Sequence, residues 1–134
     1  MFDMLDMGAS GLTAQRTRMD TIAGNILNVN TTRNAAGQPI PYRRRFVMFS
    51  PGQAGDPSKP GVHVQDIKLD DAPFARRFNP GHPDANKEGY VLYPNIDLAT
   101  EHVNALEASR AYDANITMIE TAKAMFNASL RLLA

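Results

Sequence analysis

Residues 95–134 read NIDLATEHVNALEASRAYDANITMIETAKAMFNASLRLLA, with no proline and no glycine. Leu98, Ala105, Tyr112, Ile119, Phe126 and Leu133 recur through it every seven residues, the spacing of an apolar stripe along one helix face. A second row beside it, His102, Ser109, Ile116, Lys123 and Leu130, is mixed. Asn95 or Asp97, just after Pro94, can cap the start. The pattern predicts a helix of about 36 residues, roughly 54 Å long at 1.5 Å per residue.

The opposite end of the chain reads the same way. All nine prolines lie between Pro39 and Pro94, and proline removes a backbone donor and breaks helix interiors. Leu5, Leu12, Met19 and Ile26 recur every seven residues, with Met1, Gly8, Gln15, Ile22 and Val29 as a weaker row beside them. Gly8, Gly11 and Gly24 each cost about 1 kcal/mol against alanine in a helix, but they let a neighbouring backbone come close. Asn25, Asn28 and Asn30, then Thr31 and Thr32, compete with the helical backbone and favour its end. The expected fold is mainly α with a small β-rich insert, its long N- and C-terminal helices paired in coiled-coil fashion. We divide the chain into an N-terminal assembly helix (1–33), a β-rich or irregular insert (34–94) and a C-terminal assembly helix (95–134), forming one structural unit. Each large stripe residue is worth about 1.5–3 kcal/mol when fully buried, and the insert is too small to cover both rods. Antiparallel pairing, with leftover apolar surface meeting other molecules, is one solution; a two-helix core that satisfies itself within one chain is the other.

Within the insert, Asn34–Gly37 is a turn signal. Tyr42 through Phe49 is β-prone, 51–60 is loop, and Tyr90–Tyr93 is a short strand. Val62 and Val64 alternate, then Ile67 and Leu69 alternate one residue out of phase, so a bulge at Gln65-Asp66 is expected. Asn79–Pro83 is turn chemistry.

Formal net charge is zero, from 14 basic and 14 acidic residues, which argues against a nucleic-acid binder driven by bulk charge. The run Arg43-Arg44-Arg45 is read as the solvated face of an edge strand, with a phosphate or acidic partner as the alternative. There is no cysteine and hence no thiol chemistry. His63, His82 and His102 lack metal-site spacing, and His102 with Glu101 reads as surface. Asp70-Asp71 and Asp84 with Glu88 are paired acids, but acid–base catalysis needs a cleft that separates their pKa values. No nucleophile elbow, phosphate loop or dinucleotide fingerprint occurs. We expect no cofactor, no metal and no enzyme activity. No apolar run is long enough to span a membrane. The N-terminal Met-Phe-Asp-Met-Leu-Asp-Met lacks the features of a cleavable secretory signal.

Three stretches together carry a family resemblance: Met19-Asp-Thr-Ile-Ala-Gly-Asn-Ile-Leu-Asn-Val-Asn-Thr-Thr32, Pro94-Asn-Ile-Asp-Leu98 and Glu101-His-Val-Asn-Ala-Leu-Glu-Ala-Ser-Arg-Ala-Tyr-Asp-Ala-Asn-Ile116. The first is similar to the asparagine-rich signature of bacterial flagellar axial proteins, and the third to their C-terminal helix. Their order and the short insert resemble the short, proximal members of the flagellar basal-body rod protein family. The resemblance implies a structural subunit of the basal-body rod, exported through the flagellar type III gate without cleavage and assembled across the periplasm. It implies other rod proteins, copies of itself and the export apparatus as partners, with no nucleic acid and no direct membrane insertion. The subunit interface would use the two stripes, from Leu5, Leu12, Met19, Ile22 and Ile26 to Leu98, Ala105, Tyr112, Ile116, Ile119, Phe126, Leu130 and Leu133. Asn25, Asn28, Asn30, Asn104, Arg110 and Asn115 would set its register by hydrogen bonds. Another flagellar axial protein, or a small helical-hairpin adaptor for a partner helix, are the competing readings.

Overall fold

The computed structural model describes residues 2–133; Met1, which opened the weaker N-terminal row, lies outside them. Helix α1 runs Phe2–Leu27. It stops where the asparagines begin: Asn28 donates its side-chain amide to the Gly24 carbonyl at 2.8 Å and accepts from Thr31 at 3.1 Å. Helix α2 runs Leu98–Leu133. Asp97 is its cap, accepting from the Ala99 N–H at 3.1 Å and the Thr100 hydroxyl at 2.8 Å, so one of the first backbone donors of the helix is satisfied.

The two helices pack antiparallel. Asn25 meets Glu101, Arg18 meets Glu107, Gly11 faces Asn115 and Gly8 faces Ile119. The centre of the seam is not the large apolar rows. It is Gly8, Gly11, Ile22 and Asn25 against Glu101, Ala108 and Ala122, all buried; Ala14, also buried, lines the side toward β2. Leu5, Leu12, Met19 and Ile26, and opposite them Ala105, Tyr112, Ile116 and Ile119, flank this line half-buried. At the ends of the C-terminal row Leu98, Phe126 and Leu133 are exposed, and so is Leu130. The reason is steric. A Cβ on Gly8 would stand 2.6 Å from Ile119 Cγ1, and one on Gly11 2.9 Å from the Asn115 amide. The backbones close on the glycines, and bulky neighbours are pushed to the sides.

Strands β1 (Arg45–Pro51) and β2 (Val62–Leu69) form one antiparallel pair, and β3 (Ala75–Phe78) and β4 (Tyr90–Tyr93) another. The register slips between Met48, opposite Asp66, and Phe49, opposite Val64. Gln65 is the extra residue, as the phase change in sequence requires. β1 begins three residues later than Tyr42, whose N–H is taken by the Thr31 carbonyl. The first hairpin rests on α1. Ser10 accepts from the Val62 N–H at 3.2 Å, and Gly61 (φ +146°) permits it, since a Cβ there would lie 2.7 Å from the Ser10 hydroxyl. Val91, Pro94 and Ile96 are buried where the second hairpin leads into α2. No described helix is long and apolar enough to cross a membrane.

Candidate functional site

The helix pair, the first hairpin and the loop before it meet at one buried polar joint. Asn25, wholly buried, points from the last turn of α1 at the start of β1. Its amide nitrogen donates to the Arg45 carbonyl at 2.8 Å and its oxygen accepts from the Arg45 N–H at 2.9 Å. The side chain thus pairs with the backbone of Arg45 as a neighbouring strand would. The same amide donates to Glu101 at 3.1 Å, and Tyr42 donates to the Asn25 oxygen at 3.4 Å. Two donors and two acceptor sites are all occupied.

Glu101, expected at the surface, is only 1 % exposed. Arg44 makes this tenable by donating from Nε to Glu101 Oε1 at 2.6 Å, with Asp70 a further 3.5 Å partner. A buried carboxylate without such a cation would pay a large desolvation cost. The arginine run is therefore not a solvated strand face. Arg44 enters the joint, and Arg43 donates to the Asp70 and Ala72 carbonyls at 2.9 and 3.2 Å and stacks on Phe74. Only Arg45 is exposed, lying over the Tyr42 ring. Hydrophobic periodicity misses Glu101 because its row, Glu101, Ala108, Asn115, Ala122, is small or polar. The regular seven-residue step of that row was the available signal.

Other expected register residues are placed differently. Asn115 donates back to the Ala111 carbonyl at 3.0 Å with its side chain against Gly11. Asn104 is half-buried beside Ile22 and Arg18. Asn28 caps α1, whereas Asn30 and Arg110 are exposed. The structure therefore brings Asn25, and not Asn30 or Arg110, into the joint.

The paired acids separate into structural contacts. Asp70 caps its own turn at the Ala72 N–H and Glu88 reaches Arg76. Asp84 binds Arg33 at 2.8 Å and Thr32 at 2.8 Å, tying the segment after α1 to the β3–β4 loop. The Arg33 guanidinium, and then the Thr32 hydroxyl, hold the Asp84 carboxyl below the usual carboxylate range. A depressed folded pKa means that this stabilisation is present above the unfolded value, about 3.9, and is lost as pH falls through the folded one. The melting temperature of wild type should therefore exceed that of Asp84→Asn at neutral pH, and the gap should close below about pH 4. A gap independent of pH would refute the pairing.

The joint offers geometry and not reactivity: its buried side-chain polar atoms all have partners within the protein. What the surface offers is apolar area on α2, where Val103, Leu106, Met125, Phe126, Leu130, Leu132 and Leu133 are exposed. Comparison with known proteins gives this arrangement its setting. Residues 5–33 match the family described as flagella basal body rod protein, and residues 87–132 the C-terminal family of the flagellar basal body rod FlgEFG proteins. The flagellar basal-body rod protein FlgC of Borreliella burgdorferi is 39 % identical, over 99 % of this chain and 97 % of that protein. The FlgC proteins of Bacillus subtilis (38 %) and Salmonella typhimurium (36 %) align over 98 % of this chain and 97 % of theirs. The chain belongs to the flagellar basal-body rod protein family. It is a structural rod subunit of the flagellar basal body and not an enzyme. The two matched regions of this rod subunit carry α1 and α2, and the joint residues Asn25 and Glu101 fall one in each.

Proposed function

We propose that this rod subunit builds the proximal part of the axial drive shaft by polymerising through its terminal assembly segments, 1–33 and 95–134, which carry α1 and α2, with the insert 34–94 held to one side. The observation that carries the reading is the imbalance of the helix pair. α2 has ten more residues than α1 (36 against 26), and its unmatched end is apolar and exposed. Coiled-coil burial of these stripes between subunits would stiffen a tube against torque. Heterologous contacts that do not close would give it helical symmetry. The partners are other rod proteins and further copies of this chain. Delivery is by the flagellar type III export apparatus, without cleavage, into a rod that crosses the periplasm. Deletion of the gene should abolish swimming and leave basal bodies with rings but no completed rod, restored by the gene in trans. Normal flagella in the deletion strain would overturn the reading.

A further inference from the structure

Helix α2 outlasts its partner at the end where α1 begins. Ile119 packs on Gly8 and the helices run antiparallel, so α1, which starts at Phe2, is used up near residue 125. Every residue from Lys123 to Leu133 is exposed. Phe126 and Leu133 nevertheless continue the seven-residue row of Ile119, and Leu130 lies one turn beyond Phe126 on the same face. A face that packs on α1 higher up thus runs on without cover.

On its other side, α1 walls a cleft of about 550 Å³ with β2 and the β1–β2 loop. Asp6, Ala9, Thr13 and Thr17 line it from α1, and Val62 and Val64 from β2. These α1 positions stand roughly opposite Gly8, Gly11 and Arg18, which face α2. The cleft spans Asp6 to Thr17, about 16 Å of helix, and the uncovered segment Lys123–Leu133 is about 15 Å long. The charges also match. The uncovered segment carries Lys123 and Arg131 and no acid, whereas α1 carries Asp3 and Asp6 and no base before Arg16. The segment cannot reach the cleft of its own chain. It is continuous with α2, has no proline or glycine at which to turn, and projects past the end of α1 on the wrong side.

We propose that the uncovered end of α2 docks in the α1–β2 cleft of a second copy, with Phe126, Leu130 and Leu133 on the cleft floor and Arg131 beside Asp6. That orientation runs the two helices antiparallel, with the negative C-terminal end of one dipole beside the positive N-terminal end of the other. The two surfaces differ, so the contact is head to tail and leaves a free end on each copy. The proposal rests on the rod-subunit reading and names one contact within it.

The chain has no cysteine, which makes the test direct. Ala9→Cys and Leu130→Cys copies, both at exposed positions and within about two residues of each other in this register, are expressed together in the deletion strain, and isolated basal bodies are oxidised. We expect a disulfide-linked adduct of two 14.7 kDa chains that forms with the mixture and with neither variant alone. Asp6→Arg on the Ala9→Cys copy should cut its yield roughly tenfold, and Arg131→Asp on the other copy should restore it. Basal bodies that contain the chain but give no adduct overturn the docking contact and leave the rod reading intact. Completed rods that lack the chain overturn both.

Discussion

Arg44→Met is expected to destabilise the protein by about 3–5 kcal/mol, the cost of leaving a buried charge without its partner. Glu101 is 1 % exposed and receives two hydrogen bonds, from Arg44 and from Asn25. Removing the guanidinium leaves the carboxylate with one neutral donor, Asn25. Methionine keeps most of the volume, so the loss reports charge and hydrogen bonding more than packing. Set against a typical total of about 5–15 kcal/mol, the variant should be marginally folded at best. Urea denaturation of the purified chain measures it. Arg44→Met combined with Glu101→Leu should recover a large part of the loss, because the unpaired charge is gone. A change below about 1 kcal/mol, the range of exposed ion pairs, would show that the joint does not hold the hairpin to the helices.

The second large effect is expected from Ile119→Asp. Ile119 Cγ1 occupies the space in which a Gly8 Cβ would stand, at 2.6 Å, so it lies directly on the α1 backbone. Aspartate there forfeits part of the burial of an isoleucine and sets a carboxylate against a backbone with no donor to spare, about 2–4 kcal/mol in sum. The protein should still be expressed, but rods and swimming should be lost. Ile119→Val, which keeps the shape and removes one methylene, should swim. Normal rods in the aspartate variant would sink the idea that this seam is needed for assembly.

Local signals proved reliable for where the helices can form and stop and for the strand phase. The confinement of prolines to residues 39–94 left both ends free to be helical, and both are. The phase change between Val64 and Ile67 placed the bulge at Gln65-Asp66, and the register makes Gln65 the extra residue. The asparagines after residue 24 ended α1 at Leu27, and Asp97 capped α2. The seam was less legible. Heptad spacing drew the eye to Leu12, Tyr112 and Phe126, whereas the helices close on Gly8, Gly11 and Ala108, residues that hydrophobicity scores as weak.

The joint was the least legible part. Glu101 reads as a surface acid and Arg43-Arg44-Arg45 as a charged strand face, because one-dimensional context cannot show that they meet across 57 residues. Asn25 reads as a helix stop. Its second role, as a surrogate strand for Arg45, depends on where the hairpin lands. By itself the sequence determined the two terminal helices, the stop of α1, the bulge and the membership of both helical ends in the rod family, since these depend on neighbours a few residues apart; strand β3 and the choice of Asp97 over Asn95 as cap came from the structure. Only the tertiary structure decided which face of each helix forms the seam, which charges are buried and how far α2 runs past α1. Those depend on steric closeness between distant segments: a glycine admits a backbone, and a carboxylate is tolerated in the interior because an arginine from another element is there to meet it.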